Sequence, residues 1–305
     1  MGFDLTIDRG RNAAYISMPT RQSVAVLDLA TFTQQEIEVQ GTPYGLALST
    51  DGTSLFVALH EGMIGVANLD NLTLSYLTLS PDSSGFAAPF DIGVANERLY
   101  VTSRSGSGSR SIRIITPEGG GTSLAWPTVA SASTLLLSSD GQRLYVVEAM
   151  SRLLSAFDLT LPDAPRPVSL WSSTQGTDRR QTALDEHAIY LGSGEVRRRD
   201  TLDLLGTVSP GIPSFGSGGA LLVGAYDGFF ATDGHIIQYD AATFQRIASQ
   251  PVTCAPERMM HVVNNDFLIL GFDAICLWSS FPTYTFDWPD DLGGEPIPHP
   301  DIPVP

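Results

Sequence analysis

The loop Asp227-Gly-Phe-Phe-Ala-Thr-Asp233-Gly234-His235 sets two carboxylates and an imidazole close together along the chain. Calcium takes six to eight oxygen ligands, and two carboxylates with interleaved carbonyls could supply some of them. The spacing is sparser than in an EF-hand loop, however, and Asp233-Gly234 serves equally as a tight turn. The five histidines, His60, His187, His235, His261 and His299, are scattered, with no pair at zinc-ligand spacing. His261 falls within an apolar run and reads as an inner-strand residue. Nucleophilic catalysis has no Gly-x-Ser-x-Gly elbow, since Gly216-Ser217-Gly218-Gly219 lacks a strand-to-helix setting. Gly106-Ser-Gly-Ser-Arg110 and Gly119-Gly120-Gly121 lack the Lys-Ser/Thr ending of a phosphate loop. No helical pattern follows them to supply a dipole. The motifs therefore point to no catalytic residue, no metal and no cofactor.

The charge balance narrows the partners. Thirty-three acidic residues face 17 basic ones, all of them arginine, for a formal net charge of −16. Such a field repels phosphate backbones, which excludes nucleic acid as a partner. No apolar run reaches the roughly 18 to 20 residues of a membrane-spanning helix. The chain of 305 residues, 43% hydrophobic, has material for one large domain or two modest ones. The start, Met1-Gly2-Phe3-Asp4-Leu5-Thr6-Ile7, carries no signal peptide. Either the protein is cytoplasmic, or it is a mature domain without its leader, placed in the periplasm, at the cell surface or outside the cell. A strand pattern that begins at once favours the second reading. The absence of lysine fits a GC-rich coding bias and hence a bacterial source.

A repeat organises the chain. Thr42-Pro-Tyr-Gly-Leu-Ala-Leu-Ser-Thr-Asp51-Gly52-Thr-Ser-Leu-Phe-Val-Ala reads as strand, tight turn, strand, and Met63–Asp70 adds a third strand ending in Asp. Asp-Gly is the pair a tight hairpin demands, because its central positions want positive φ. The plan returns at Leu135–Val147 with Asp140-Gly141, and more weakly at Leu5–Ser17. The anchors Tyr15, Phe56, Tyr100, Tyr145, Tyr190, Leu222 and Leu268 recur about every 42 residues, the period of a four-stranded propeller blade. Seven anchors predict an all-β, seven-bladed β-propeller of four-stranded antiparallel blades over 1–289. Its blades fall near 3–39, 41–80, 85–126, 129–172, 178–209, 211–252 and 255–289. The first strand lies inside and Tyr284–Trp288 supplies the last outer strand, so the ring is expected to close by side-chain packing. Residues 290–305, rich in proline and acids, form a linker or tail.

Pro43-x-Gly45-Leu-Ala-Leu-Ser-x-Asp51-Gly52, with Tyr100-Val101-Thr102-Ser103, resembles the repeat of the YVTN-type propellers, related to surface-layer and lactonase-like propellers. The resemblance implies mostly binding or structural roles, with a minority of enzymes.

In a propeller, the loops entering each first strand and those between second and third strands crowd one face around a central funnel. They bring there Tyr44, His60, Glu61, Arg104, Glu148, Arg179, Arg180, Asp227, Glu257 and Arg258, with Phe90 and Asp91 among the same loops. This mixture suits a protein or peptide partner or a polar small ligand, and is also what ordinary solvated loops would carry. Arg197-Arg198-Arg199 reads as a solvated outer stretch, since alternate strand residues face opposite sides. Cys254 and Cys276 are either two buried thiols or a disulfide across the entry of the final blade, which would imply an oxidising compartment. The sequence thus favours a non-enzymatic binding or scaffolding domain of a bacterial envelope or secreted protein, monomeric in isolation. A lactonase-like hydrolase using Glu61, Glu148 or Glu257 is the alternative.

Overall fold

The computed structural model describes the chain except residues 1–2, 80–87, 105–108, 111, 118–120, 124–128, 131, 149–152, 163–164, 173–181, 216–220, 227–233, 253–255, 262–266, 272–273, 279–283 and 288–305. The first sheet contains β1 (Leu5–Asp8), β2 (Ala13–Met18), β3 (Ser23–Asp28) and β4 (Gln34–Glu38). The second contains β5 (Pro43–Leu48), β6 (Ser54–Leu59), β7 (Met63–Asn68) and β8 (Leu74–Thr78). The third has the order β9 (Pro89–Ala95), β10 (Arg98–Ser103), β12 (Arg113–Ile115) and β13 (Gly121–Ser123), with β11 (Ser109–Arg110) outside it. After β14 (Val129–Ala130), the fourth sheet comprises β15 (Thr134–Leu137), β16 (Arg143–Glu148), β17 (Leu153–Asp158) and β18 (Arg166–Ser172). The fifth comprises β19 (Thr182–Leu184), β20 (Ala188–Leu191), β21 (Glu195–Arg198) and β22 (Leu204–Thr207). The sixth comprises β23 (Ile212–Phe215), β24 (Leu221–Tyr226), β25 (Gly234–Tyr239) and β26 (Arg246–Val252). The last holds β27 (Pro256–His261), β28 (Phe267–Gly271), β29 (Ala274–Trp278) and β30 (Tyr284–Asp287).

The expectation of seven like blades is corrected here. Six sheets are uninterrupted four-strand meanders, whereas the segment expected as blade 85–126 is not. Its β11 leaves the meander and pairs with β14 in a separate two-stranded sheet, Ser109 opposite Ala130. Ser109-Arg110 offers no apolar side chain that would tie β11 to a buried face of the third sheet. The structure is a β-propeller of six regular four-stranded blades with this interrupted sheet between the second and fourth.

Each hydrophobic cluster draws on two neighbouring sheets. Tyr15, Val24 and Ile37 of the first pack with Leu46, Leu55 and Val57 of the second. Leu5, Ile16 and Met18 pack with Leu268, so β1 and β28 meet without a shared strand, as expected. The anchors Tyr15, Tyr100, Tyr145 and Tyr190 are among the largest fully buried side chains. Three of their hydroxyls donate within hydrogen-bond distance: Tyr100 to the Pro162 carbonyl at 3.2 Å, Tyr145 to that of Arg199 at 3.3 Å and Tyr190 to Asp185 Oδ2 at 3.0 Å.

The turns explain the repeat's acids. Asp51 accepts from Ser49 Oγ at 2.6 Å and Thr53 N at 3.1 Å, beside Gly52 at φ 69°. Asp140 does the same with Ser138 Oγ and Gln142 N, beside Gly141 at φ 67°. An Asp at the end of the third strand caps the next turn in the first, fourth and sixth sheets, and Asn68 does so in the second, accepting from Asp70 N and Asn71 N. Asp28 accepts from Ala30 N and Thr31 N, Asp158 from Thr160 N, and Asp240 from Ala242 N and Thr243 N. These bonds favour the carboxylate, as in an Asx turn.

A pH dependence follows. The Thr31 amide holds Asp28 below its ordinary 3.8; the Ser49 and Ser138 hydroxyls do so for Asp51 and Asp140, and the Thr160 and Thr243 amides for Asp158 and Asp240. Groups lowered in the folded state contribute stability above 3.8 that is lost as pH falls through their folded values. Burial pushes Tyr15, Tyr145 and Tyr190 above 10.0, so their contribution is complete below 10 and lost as pH rises through the folded values. The urea midpoint is therefore expected to be flat between about pH 5 and 9 and to fall on both sides. A midpoint that rises beyond either edge would contradict these assignments.

The arginine run is also corrected. Arg197 is buried, its guanidinium carbon 3.6 Å from the ring centroid of Trp171 in the neighbouring sheet, and its Nη1 donates to the Leu202 carbonyl at 2.8 Å. Arg199 donates from Nε to Tyr145 Oη at 3.2 Å and from Nη1 to the Glu186 carbonyl at 3.0 Å. Only Arg198 is exposed. Arginine's planar, weakly hydrated head lets it stack on an indole where a solvated role had been expected.

Candidate functional site

Because β1 and β2, β5 and β6, and β9 and β10 are antiparallel, the start of each first strand and the end of each second strand share one end of the sheet. At that end, here called the top, Phe3, Tyr44 and Phe90 converge from three consecutive sheets. The Phe3 ring lies 4.8 Å from Tyr44 and 5.4 Å from Phe90, and Tyr44 lies 5.5 Å from Phe90, centroid to centroid. His60, exposed beyond β6, sets its ring 5.8 Å from Tyr44 at 73°. Phe90 is buried at the base, while Phe3 and Tyr44 are partly exposed. Edge-to-face ring pairs of this kind hold one another in place.

Arg104 completes the cluster from the end of β10. Its amide donates to the Ala88 carbonyl at 2.7 Å, which fixes the backbone across the start of β9. The guanidinium carbon lies 5.3 Å from the Tyr44 centroid and 5.8 Å from that of Phe90, and Nη1 donates to Tyr44 Oη at 3.1 Å. The side chain is exposed, so the stacked head faces solvent.

A repeated latch positions the three rings. Asp4, directly after Phe3, accepts from Leu5 N at 2.9 Å on Oδ1 and from Leu46 N of the next sheet at 2.8 Å on Oδ2. Its own amide donates to Ser17 Oγ at 2.9 Å. Asp91, directly after Phe90, accepts from Ile92 N at 2.9 Å and from Leu135 N of the fourth sheet at 2.7 Å. Its amide donates to Thr102 Oγ1 at 3.1 Å, and that hydroxyl donates to the Ser133 carbonyl at 2.8 Å. The second sheet has Gly45 and Ala58 where the first has Asp4 and Ser17. A Cβ on Gly45 would stand 2.7 Å from Asp91 Cα and 2.9 Å from Ile92 N, so the missing side chain makes room for the neighbouring strand.

The sequence-predicted residues separate into groups. Tyr44, His60 and Arg104 come together in the cluster. Glu61 serves the loop instead, accepting from Thr42 N at 2.7 Å and Thr42 Oγ1 at 2.9 Å, against Gly41 at φ 141°, where a Cβ would meet its Oε2. Glu148 ends β16 and is buried, 4% exposed. Arg179, Arg180, Asp227 and Cys254 lie outside the described residues. Glu257 and Arg258 lie in β27, where Arg258 pairs with Leu270. Cys276 lies in the middle of β29 rather than at its start, between Ile269 and Thr285.

Phe3 and Asp4 escaped the sequence reading, yet a signal was there. Counting three residues back from the partner of each anchor gives Phe3, Tyr44, Phe90, Ser133, Arg180, Gly211 and Glu257. Aromatic residues fill this position in the first three repeats alone.

No protein-family model matches the sequence, and no curated protein matches it. Solved structures do match in fold. Hydrazine synthase of Kuenenia stuttgartiensis is 15% identical over 95% of this chain and 96% of its own, at a TM-score of 0.61. The β-propeller domain of Cps50 (Swd1) from Myceliophteria thermophila is 10% identical over 91% of this chain and 96% of its own, at 0.69. Dihydro-heme d1 dehydrogenase NirN, in complex with DHE, is 13% identical over 93% of this chain and 66% of its own, at 0.66. At these identities the likeness is one of propeller fold.

Proposed function

We propose that this chain is a non-enzymatic binding or scaffolding propeller of the YVTN type, whose recognition surface is the top of its first three sheets. The observation that carries the reading is the convergence of Phe3, Tyr44, Phe90 and His60 around the exposed head of Arg104. Tyrosine and arginine dominate the energetics of protein interfaces, because each presents a large, stiff contact area with a polar end. Two of the three carboxylates that a hydrolase would draw on support the same reading: Glu61 is engaged by Thr42 and Glu148 is buried. The similar solved structures share the propeller fold alone, and two of them, hydrazine synthase and NirN, are enzymes by name.

The test runs a peptide-display selection on the wild-type chain and on Tyr44→Ala, beside a panel of lactones and elemental analysis for bound metal. The reading expects peptides enriched on the wild type alone and no turnover. Bound metal with lactone turnover that survives in Tyr44→Ala would overturn it. Placement in the envelope or outside the cell is part of the proposal and rests on a Cys254–Cys276 bridge. Thiol titration of the denatured, unreduced chain is expected to find no reactive thiol; two per chain would remove that placement.

A further inference from the structure

Taking the binding reading as its basis, we propose that the top-face cluster receives a carboxylate beside an apolar group, with the Arg104 head on the carboxylate and the rings on its neighbour. Arg104 differs from four arginines of this chain that pair with carboxylates. Arg11 pairs with Asp8 and Asp70, Arg21 with Glu36, Arg143 with Asp158 and Arg197 with Glu195. Arg104 has no carboxylate partner among the described residues, and its one side-chain hydrogen bond goes to a neutral phenol. The exposed Arg198 and Arg246 also have no carboxylate partner among the described residues, but of these three Arg104 alone has its head set against aromatic rings.

The geometry prepares that cation for a planar anion. The guanidinium lies within cation–π reach of Tyr44 and Phe90, the bond to Tyr44 Oη holds one nitrogen, and the side chain is otherwise exposed. A guanidinium matches a carboxylate through two parallel N–H donors, and pre-ordering reduces what binding must spend on freezing it. Phosphate fits the same fork, but the field of a chain at −16 opposes a dianion more than a monoanion. The partly exposed Phe3 and Tyr44 rings and the exposed His60 then lie beside the carboxylate, where an apolar body would cover them. A free organic acid and the C-terminus of a peptide both present this chemistry.

The experiment titrates the full chain with phenylacetate, phenylacetamide and phenyl phosphate, and with a short peptide ending in Phe as free acid or as amide. The acids are expected to bind at least about tenfold more tightly than their amides, the typical worth of a hydrogen bond to a charged group. Arg104→Gln is expected to erase that preference and Arg104→Lys to keep part of it, both with an unchanged melting temperature. Preference for the peptide acid alone identifies a chain terminus as the source; preference for both identifies the carboxylate generally. Equal binding of acid and amide, an acid preference that persists in Arg104→Gln, or tighter binding of phenyl phosphate would overturn the assignment. Failure of every probe while display-selected peptides still require Tyr44 would overturn the carboxylate alone. Failure of display selection as well would overturn the binding reading itself.

Discussion

Gly45→Ala is expected to destabilise the chain by about 3 kcal/mol or more, although it adds a single methyl group. The new Cβ would stand 2.7 Å from both Asp91 Cα and Asp91 Oδ1 and 2.9 Å from the Ile92 amide. Two of these are backbone atoms of an inner strand, so no side-chain rotation relieves the overlap and β9 must move away from β5. That movement strains the Asp91 bonds to Ile92 N and Leu135 N, which carry the contact on to the fourth sheet. It also parts Tyr44 from Phe90, since each ring sits one residue from the collision. Urea denaturation reads the stability loss, and the same variant is expected to lose affinity at the top face. A midpoint within error of the wild type would show that the seam between the second and third sheets is slack.

Asp4→Asn is the second large effect, at about 2 to 3 kcal/mol. Asp4 is only 6% exposed and accepts two amides, one from its own strand and one from the next sheet. Asparagine keeps the shape but turns one acceptor into a donor, so either Leu5 N or Leu46 N faces an N–H group and stays buried without a partner. Ser17→Ala removes the supporting hydroxyl and is expected to cost less, about 1 kcal/mol. Asp70→Asn, which loses an exposed partner of Arg11, is expected to change stability by under about 0.5 kcal/mol. If Asp4→Asn behaved like Asp70→Asn, the latch between sheets would contribute nothing measurable.

The parts of the fold written in local chemistry were legible from the residues. Asp51-Gly52 and Asp140-Gly141 stand in turns as expected, although only the glycine of each pair takes positive φ. Asp28, Asp158 and Asp240 cap the turns after third strands, while Asn68 rather than the expected Asp70 does so in the second sheet. The tyrosines spaced by one repeat are buried anchors. What escaped depends on neighbours distant in the chain. Nothing local in Ser109-Arg110 says that it will leave its sheet for Val129-Ala130. Arg197 looked solvated because alternation along a strand does not reveal Trp171 waiting on the next sheet. Glu61 looked available because the space opposite it is set by Gly41, which matters only once the loop has folded. The site was half legible: Tyr44, His60 and Arg104 were expected at one face, whereas Phe3 with Asp4 appears only when the first strands are aligned by register.

The most direct test of the top face as the recognition surface is the affinity of one display-selected peptide, measured by calorimetry on three chains. These are the wild type, Tyr44→Ala, and Leu170→Ser on the outer strand β18, where Leu170 is 68% exposed and offers the competing apolar surface. The top-face account expects Tyr44→Ala to weaken binding at least tenfold, roughly the loss of one interface hot spot, and Leu170→Ser to leave it unchanged. Unchanged affinity in Tyr44→Ala, or loss confined to Leu170→Ser, would place recognition on the rim and contradict the account.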